Sequence, residues 1–480
     1  MPSDQFSIAD ETVAPWVAAA AALALYLALP SFRFNHDGVA CAIAIELADV
    51  KHLLHGNHLL YGWLGMVFHG IVQALKLPLT ALWSLQLMDS MLGALGTGLF
   101  CRLLLKLKLP VWIAWLASMG LATSYGWWLF SIDAQVYLLG AMFMILAWTE
   151  ALSEKPNPYR LALWNSLGVL GHVLNVFFAP AALYSLWRSR DGITLRKDFM
   201  RYAFVSIVFV TSAYAIAGIY GVKPADLEEF KVWMLGSAAL GPGRSFRWYM
   251  PDSLATGIFQ LLQSGFRVVS AYWAVGAVLW LGALAATFSR NSAPRYAIRT
   301  AWLGIIGTLP ILLTYEPYSI DYRVTDLVPL WLMAALWMRG DELSPPVRVW
   351  PVVLVACIAA ANMSGGLRSI MTPEMNRPYQ KALWLKGTLP PHAWVASSAL
   401  DEVYVPYFAH LRPLNLRYLQ KPGQLKARIE SLARRGEPVF IAADTVKSLG
   451  VERFVGLGLQ PIDQFDEFEL FLIRTHGAVR

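Results

Sequence analysis

The chain has 480 residues, of which 57% are hydrophobic and 15% charged, with a mean hydropathy of +0.47, too apolar for a water-soluble fold and typical of the membrane class. The net charge of +7 gathers in loops between apolar runs, so it reads as a topology signal and argues against nucleic acid as a partner. Cys41, Cys101 and Cys357 are too few and too scattered for a disulfide framework or a zinc site.

Runs able to cross ~30 Å of hydrocarbon predict about eleven transmembrane helices, at 13–30, 83–105, 110–128, 134–152, 160–172, 174–188, 202–220, 268–288, 300–315, 324–338 and 347–363. Lys and Arg resist translocation, and they fall on every second connection: Arg102/Lys106/Lys108, Lys155/Arg160, Arg188/Arg190/Arg196/Lys197/Arg201, Arg290/Arg295/Arg299 and Arg339/Arg348. The amino terminus is therefore expected inside and the carboxyl terminus outside. An acidic start (Asp4, Asp10, Glu11) lacks the positive region of a cleaved secretory signal, so the first span is read as retained. This topology puts the first loop (31–82) on the outer face, together with 129–133, 221–255 and 316–323.

The first loop opens FRFNHDGVACAIAIELADVKHLLHGNHLLYGW from Phe32 and holds four of the nine histidines. Val39, Ile43, Leu47, Val50 and Leu54 recur every three or four residues, which predicts one amphipathic helix lying along the membrane surface and ending at Gly56. Asp37 at its start reads as an N-cap and, compatibly with that, as a general base held at the membrane surface. Glu46 and Asp49 are expected on its wet face. His52, His55 and His58 drift round the helix and are interrupted by Gly56-Asn57, so zinc ligation is not expected, and His69 reads as structural. Past the last span, AWVAS, PVFIAA and FELFLIRT read as strands and PGQLKARIESLARRG as an amphipathic helix. The expected organisation is a helical transmembrane module over 1–363 and a small extracytoplasmic α/β domain over 364–480, with no internal repeat.

A first span, an outer loop with an Asp just after it, a surface helix, HLLYGWLG and the span LQLMDSMLGALGTGLFCRLLLKL together resemble the GT-C superfamily of membrane glycosyltransferases, in particular the protein O-mannosyltransferase and lipid A aminoarabinose transferase group. SYGWWLFSIDAQVYLLGAMF, GVLGHVLNVFFAPAALYSLW and DYRVTDLVPLWLMAAL are similar to later spans and the late outer turn, so the resemblance covers most of 13–363. It implies transfer of a sugar from a polyprenyl-phosphate donor, on the outer or periplasmic face of what would be a bacterial inner membrane, to a glycan, lipid or protein acceptor. It also implies a role for the segment His58–Trp63, hence His58 and Tyr61 as substrate or carrier ligands. Many members carry two neighbouring acids in the first loop, whereas Asp37 is followed by Gly38. No cofactor is certain on this pattern: a divalent metal stays open, but the single acid weakens the case.

Moving a sugar from a lipid phosphate to a hydroxyl needs a base for the acceptor proton and donors for the departing phosphate. Phosphate leaves unprotonated, so one carboxylate suffices, and a single displacement inverts the anomeric centre. Asp37 is the candidate base. Arg323 could grip phosphate bidentately, or else pair with Asp321 or Asp326. Arg244 and Arg247, in GPGRSFRWY, are further phosphate candidates on the long outer connection. At expected outer ends of spans, His172 could hold substrate or be a neutral ring bonded to Asn175 or backbone, and Asp133 could orient substrate or cap the next helix; Asp89, one turn into the second span, reads as internally paired or cavity-lining. The alternative is a non-catalytic transporter or lipid-carrier translocase. Such a protein should show repeated halves and charges near the bilayer centre, whereas here the polar residues gather at one face.

Overall fold

The computed structural model describes residues 8–189, 191–235, 253–288, 294–314, 316–339, 345–416, 419, 423–450, 454 and 457–475. The chain forms two compact units: Met1–Ser31 with Ala44–Met371, and Phe32–Ile43 with Thr372–Arg480.

The first unit is helical. Five of its helices are long and apolar enough to cross a membrane, within Glu11–Ala28, Ala81–Lys106, Gly192–Val222, Arg295–Leu313 and Val349–Ile370, and shorter apolar helices run Val111–Thr123, Tyr137–Ala151 and Trp273–Phe288. The expected count of about eleven is not reproduced as continuous helices, because several apolar runs are broken. The run at 110–128 is cut at Ser124, whose backbone is extended, into Val111–Thr123 and Tyr125–Ile132. Ser118, Thr123 and Ser124 all turn their hydroxyls back onto carbonyls one turn earlier, at 2.7–2.8 Å, a habit that bends helices. The amides released by the break are not left bare, which matters in lipid: Tyr125 and Gly126 donate to the carbonyls of Val269 and Val268 at 2.9 and 2.8 Å. A second break, at His172 (φ −161°, ψ 123°), separates Pro158–Gly171 from a 3-10 turn over Val173–Phe178 and the helix Ala179–Arg188.

Two helices lie where the sequence suggested connection only, Leu227–Leu235 and Leu254–Arg267. Gln260, Gln263 and Ser264 dilute the hydropathy of the latter, which starts on a Ser253 cap accepting from the Thr256 amide at 3.1 Å.

The expected surface helix from Asp37 to Gly56 is two pieces, His36–Glu46 and Val50–Leu53. Between them Ala48 takes a left-handed backbone (φ +52°), and Asp49 caps the second piece by accepting from the His52 amide at 3.3 Å and lying 2.6 Å from His52 Nδ1. Burial pushes the Asp49 carboxyl up, but these bonds outweigh it and hold the group below its ordinary range. The helix break is therefore built by a residue expected on a plain wet face. Glu46 also has a contact: its carboxylate accepts from the Ala81 amide at 3.4 Å, at the start of the Ala81–Lys106 helix.

The second unit is an α/β fold on a mixed five-stranded sheet. Its strands are β1 (Trp394–Ser397), β2 (Arg412–Asn415), β3 (Val439–Ala442), β4 (Leu457–Phe465) and β5 (Phe468–Thr475), in the order β2-β1-β3-β5-β4. The pairs β1–β2 and β1–β3 are parallel, and β3–β5 and β4–β5 antiparallel. The helix Gln424–Arg434 buries Leu425, Ile429 and Leu432 against Ala396, Ile441 and Ile473, the three-and-four spacing that its sequence announces. β2 and β4 were not foreseen: β2 carries Pro413, and most of β4 is exposed, so neither shows a strand's apolar alternation. Lys381 is buried in this unit at 3% side-chain exposure, with its ammonium 2.6 Å from Asp401 and 2.7 Å from Asp444.

Candidate active site

In the helical unit the break at His172 organises a polar region. Val173 donates to the Asn57 carbonyl at 2.8 Å and Leu60 to the Leu170 carbonyl at 3.1 Å, so the backbone of the HLLYG segment is laced to both sides of the break. Two glycines allow the approach beneath it. A Cβ on Gly171 would meet the Gly140 backbone at 2.7 and 2.8 Å, and one on Gly140 would meet Asn175 at 2.7 Å. Small residues at such a crossing let helices pack backbone to backbone in lipid. Asn175 is fixed in turn, donating to the Gly168 carbonyl at 2.9 Å and accepting through its own carbonyl from Asn165 at 3.0 Å.

His172 is 7% exposed. Its ring lies 4.7 Å from that of Tyr137 and 6.2 Å from that of Tyr322. These three rings with Asn175, Asp321 and Thr325 line a narrow polar cleft. Burial and the nearby charge of Asp321 both push the Glu316 carboxyl above its ordinary value.

Tyr61, fully buried, donates its hydroxyl to Asp89 Oδ2 at 2.7 Å, and the Gln135 amide donates to the same oxygen at 2.8 Å. Asp89 is fully buried. Its other oxygen, Oδ1, has no hydrogen-bond partner among the described residues. Asp133, also fully buried, accepts from the Ala134 amide at 2.9 Å and is close enough to Asp89 for their charges to interact. His58 is half-buried, stacked on His55 at 4.3 Å and edge-on to Tyr61 at 6.3 Å. The fold thus joins Tyr61 directly to Asp89, sets His58 against Tyr61, and groups His172 with Tyr137 and Tyr322.

Arg323 lies within the 3-10 turn Asp321–Asp326. It is 2% exposed, with Nε 2.5 Å from Asp326 Oδ2 and a second nitrogen donating to the Leu261 carbonyl at 2.9 Å. Its guanidinium also lies over the Trp280 ring, so in this state its donors are turned to protein. Arg244 and Arg247 lie outside the described residues. A larger cavity of the helical unit, lined by Leu279, Gly282, Ala285, Trp337, Met338 and Leu354, carries no ionisable side chain and offers no acid–base chemistry.

In the other unit Asp37 sits in the first turn of the His36–Glu46 helix with its side chain half exposed. It is not the cap. Asn35 Oδ1 accepts from the Asp37 amide at 2.9 Å, which leaves the half-exposed Asp37 carboxylate in the first turn, at the positive end of the helix dipole. His36 Nδ1 is 3.5 Å from Asp37 Oδ1. Among the described residues no group of three or more His, Cys, Asp or Glu side chains is arranged to hold a metal ion.

Sequence reasoning passed over Gln135, Tyr322 and the Gly140–Gly171 pair. Only the glycines left a usable trace, as small residues in apolar runs at VYLLGAMF and GVLGHV.

No protein-family model matches the chain, and no curated protein matches it. Among solved structures it is similar to ArnT from Cupriavidus metallidurans bound to undecaprenyl phosphate, with a TM-score of 0.66 at 13% identity over 95% of this chain and 97% of that one. The same ArnT in the apo state gives a TM-score of 0.62 at 12% identity over the same shares. An oligosaccharyltransferase from Archaeoglobus fulgidus gives 0.52 at 12% identity, over 95% of this chain and 72% of that one. These likenesses show a fold shared over nearly the whole chain, in line with the fold that the sequence resemblance implies.

Proposed function

We propose that this protein is a membrane glycosyltransferase that moves a sugar from a polyprenyl-phosphate carrier to an acceptor hydroxyl on the outer face of a bacterial inner membrane, with inversion, and that Asp37 is the general base. The observation that carries the reading is the match along nearly the whole chain to a fold seen with undecaprenyl phosphate. The polar groups support it, each within its own unit: Asp37 offers a half-exposed carboxyl as a proton acceptor, and in the helical unit Tyr61, Asp89, His58 and His172 are donors and acceptors of the kind a sugar or a carrier phosphate needs. As the acceptor oxygen attacks the anomeric carbon, the bond from that carbon to the phosphate oxygen breaks. The acceptor proton passes to Asp37, and the carrier phosphate departs as an anion.

Substituting Asp37→Asn removes the base while keeping the size of the side chain. Transfer should fall by roughly 10²–10⁴-fold, the usual contribution of a positioned base, in a protein that purifies and melts like the wild type. A translocase would keep most of its activity, and that result would reject the enzymatic reading. Mass analysis of envelope glycans in a strain lacking the protein would then identify the sugar and acceptor.

A further inference from the structure

We infer that Asn376 and Tyr404 are positioning residues for Asp37, an inference that rests on reading Asp37 as the base. Three successive carbonyls of the segment leading to Asp37 are gripped by these two side chains. Asn376 Nδ2 donates to the carbonyls of Phe32 at 2.6 Å and Arg33 at 3.0 Å. The Tyr404 hydroxyl lies 2.7 Å from the Arg33 carbonyl and 2.6 Å from that of Phe34, and 3.3 Å from Asn376 Nδ2. Hydrogen bonds to backbone at this density fix a path that has no sheet or helix ladder of its own.

Both grips are themselves anchored. Asn376 Oδ1 caps the helix Arg377–Thr388 by accepting from the Tyr379 amide at 3.1 Å. Tyr404 is 1% exposed, within the helix Asp401–Ala409. Between them Phe34 is 2% exposed, its ring 5.2 Å from Tyr379 and 5.1 Å from Phe408. Phe34 also has φ +48°, a left-handed conformation that a bulky residue keeps only where its surroundings over-determine it. From this kink Asn35 follows, and its side chain and carbonyl accept from Asp37 at 2.9 Å and Val39 at 3.0 Å, starting the helix that carries the carboxylate. The direction of Asp37 is thus set by groups more than 300 residues later in the chain. An unsupported loop would let it wander, and loss of about 1 Å in placement is costly to a base.

Two near-isosteric changes separate positioning from folding. Asn376→Asp keeps the oxygen that caps Tyr379 and removes both donors; Tyr404→Phe keeps the ring and removes the hydroxyl. The full-length protein in lipid nanodiscs is supplied with polyprenyl-phosphate-linked sugars extracted from the membranes of the source cells, and transfer is read by mass spectrometry. The double variant should lose at least tenfold in kcat with KM for the donor within about twofold, and hydrogen exchange over 32–43 should rise tenfold while 81–106 stays unchanged. Tyr404→Phe alone gives a smaller loss of the same kind and serves if the double variant folds poorly. Arg377→Ala, which breaks an exposed pair with Asp466, should leave both readouts as they are. Wild-type kcat in both Tyr404→Phe and the double variant, with Asp37→Asn inactive, overturns the positioning role and leaves the base in place. Turnover by Asp37→Asn within tenfold of wild type rejects the base, and the positioning role with it.

Discussion

The two units treat buried charge differently. In the α/β unit Lys381 sits between Asp401 and Asp444, and Thr445 lies 3.4 Å from the Asp401 carboxylate, so opposite charges meet at hydrogen-bond distance. In the helical unit Arg323–Asp326, Arg201–Asp198 and Arg160–Glu150 repeat that pairing. Asp89 does not. Its two bonds come from neutral donors, a tyrosine hydroxyl and a backbone amide, and Oδ1 has no hydrogen-bond partner among the described residues. A buried carboxylate without a countercharge is costly, and a fold keeps one mainly where it has work to do. Pairing by opposite charge marks structure, and its lack at Asp89 marks the candidate site.

That contrast can be broken or sharpened by mutation. Lys381→Met should have the largest effect on stability, a loss of about 3 kcal/mol, because it strands Asp401 without its cation. Burial already raises the Asp401 carboxyl above its ordinary value while Lys381 opposes that rise. Removing the lysine raises it further, so the penalty should be full at pH 7 and shrink toward pH 4 as the acid takes up a proton. Thermal melts at the two pH values check both magnitude and sign; equal penalties would contradict the ion-pair account.

Gly171→Ala should cost less, about 1–3 kcal/mol, since its methyl meets backbone rather than a yielding side chain. The forced shift falls on His172, so transfer should decline more than the melting temperature suggests. Asp89→Asn is the sharpest discriminator. Neutralising an uncompensated acid should leave the melting temperature unchanged or higher, yet turnover should drop tenfold or more if the carboxylate serves the site; a variant that unfolds with activity per folded molecule intact would make Asp89 structural. At the small end, Lys51→Ala removes an exposed bond to Glu229 and should change stability by only a few tenths of a kcal/mol.

Much of this was legible in the amino-acid order because lipid imposes a simple rule on composition. The membrane class, the apolar runs, the first-loop Asp37, and the helix and three of the five strands of the C-terminal unit follow from hydropathy, period and caps, which are local properties. His172 and Asp133 drew notice because ionisable groups in apolar surroundings are conspicuous. Where chain segments remote in sequence meet, only the tertiary structure could decide. It divided the apolar run at Ser124 by offering the carbonyls of Val268 and Val269 to the released amides. Tyr61 found Asp89 across two helices, Arg323 was turned onto Asp326 and Leu261, and the approach to Asp37 was bent against Asn376 and Tyr404. Such bonds depend on which faces pack together, and a linear pattern fixes each face without naming its partner.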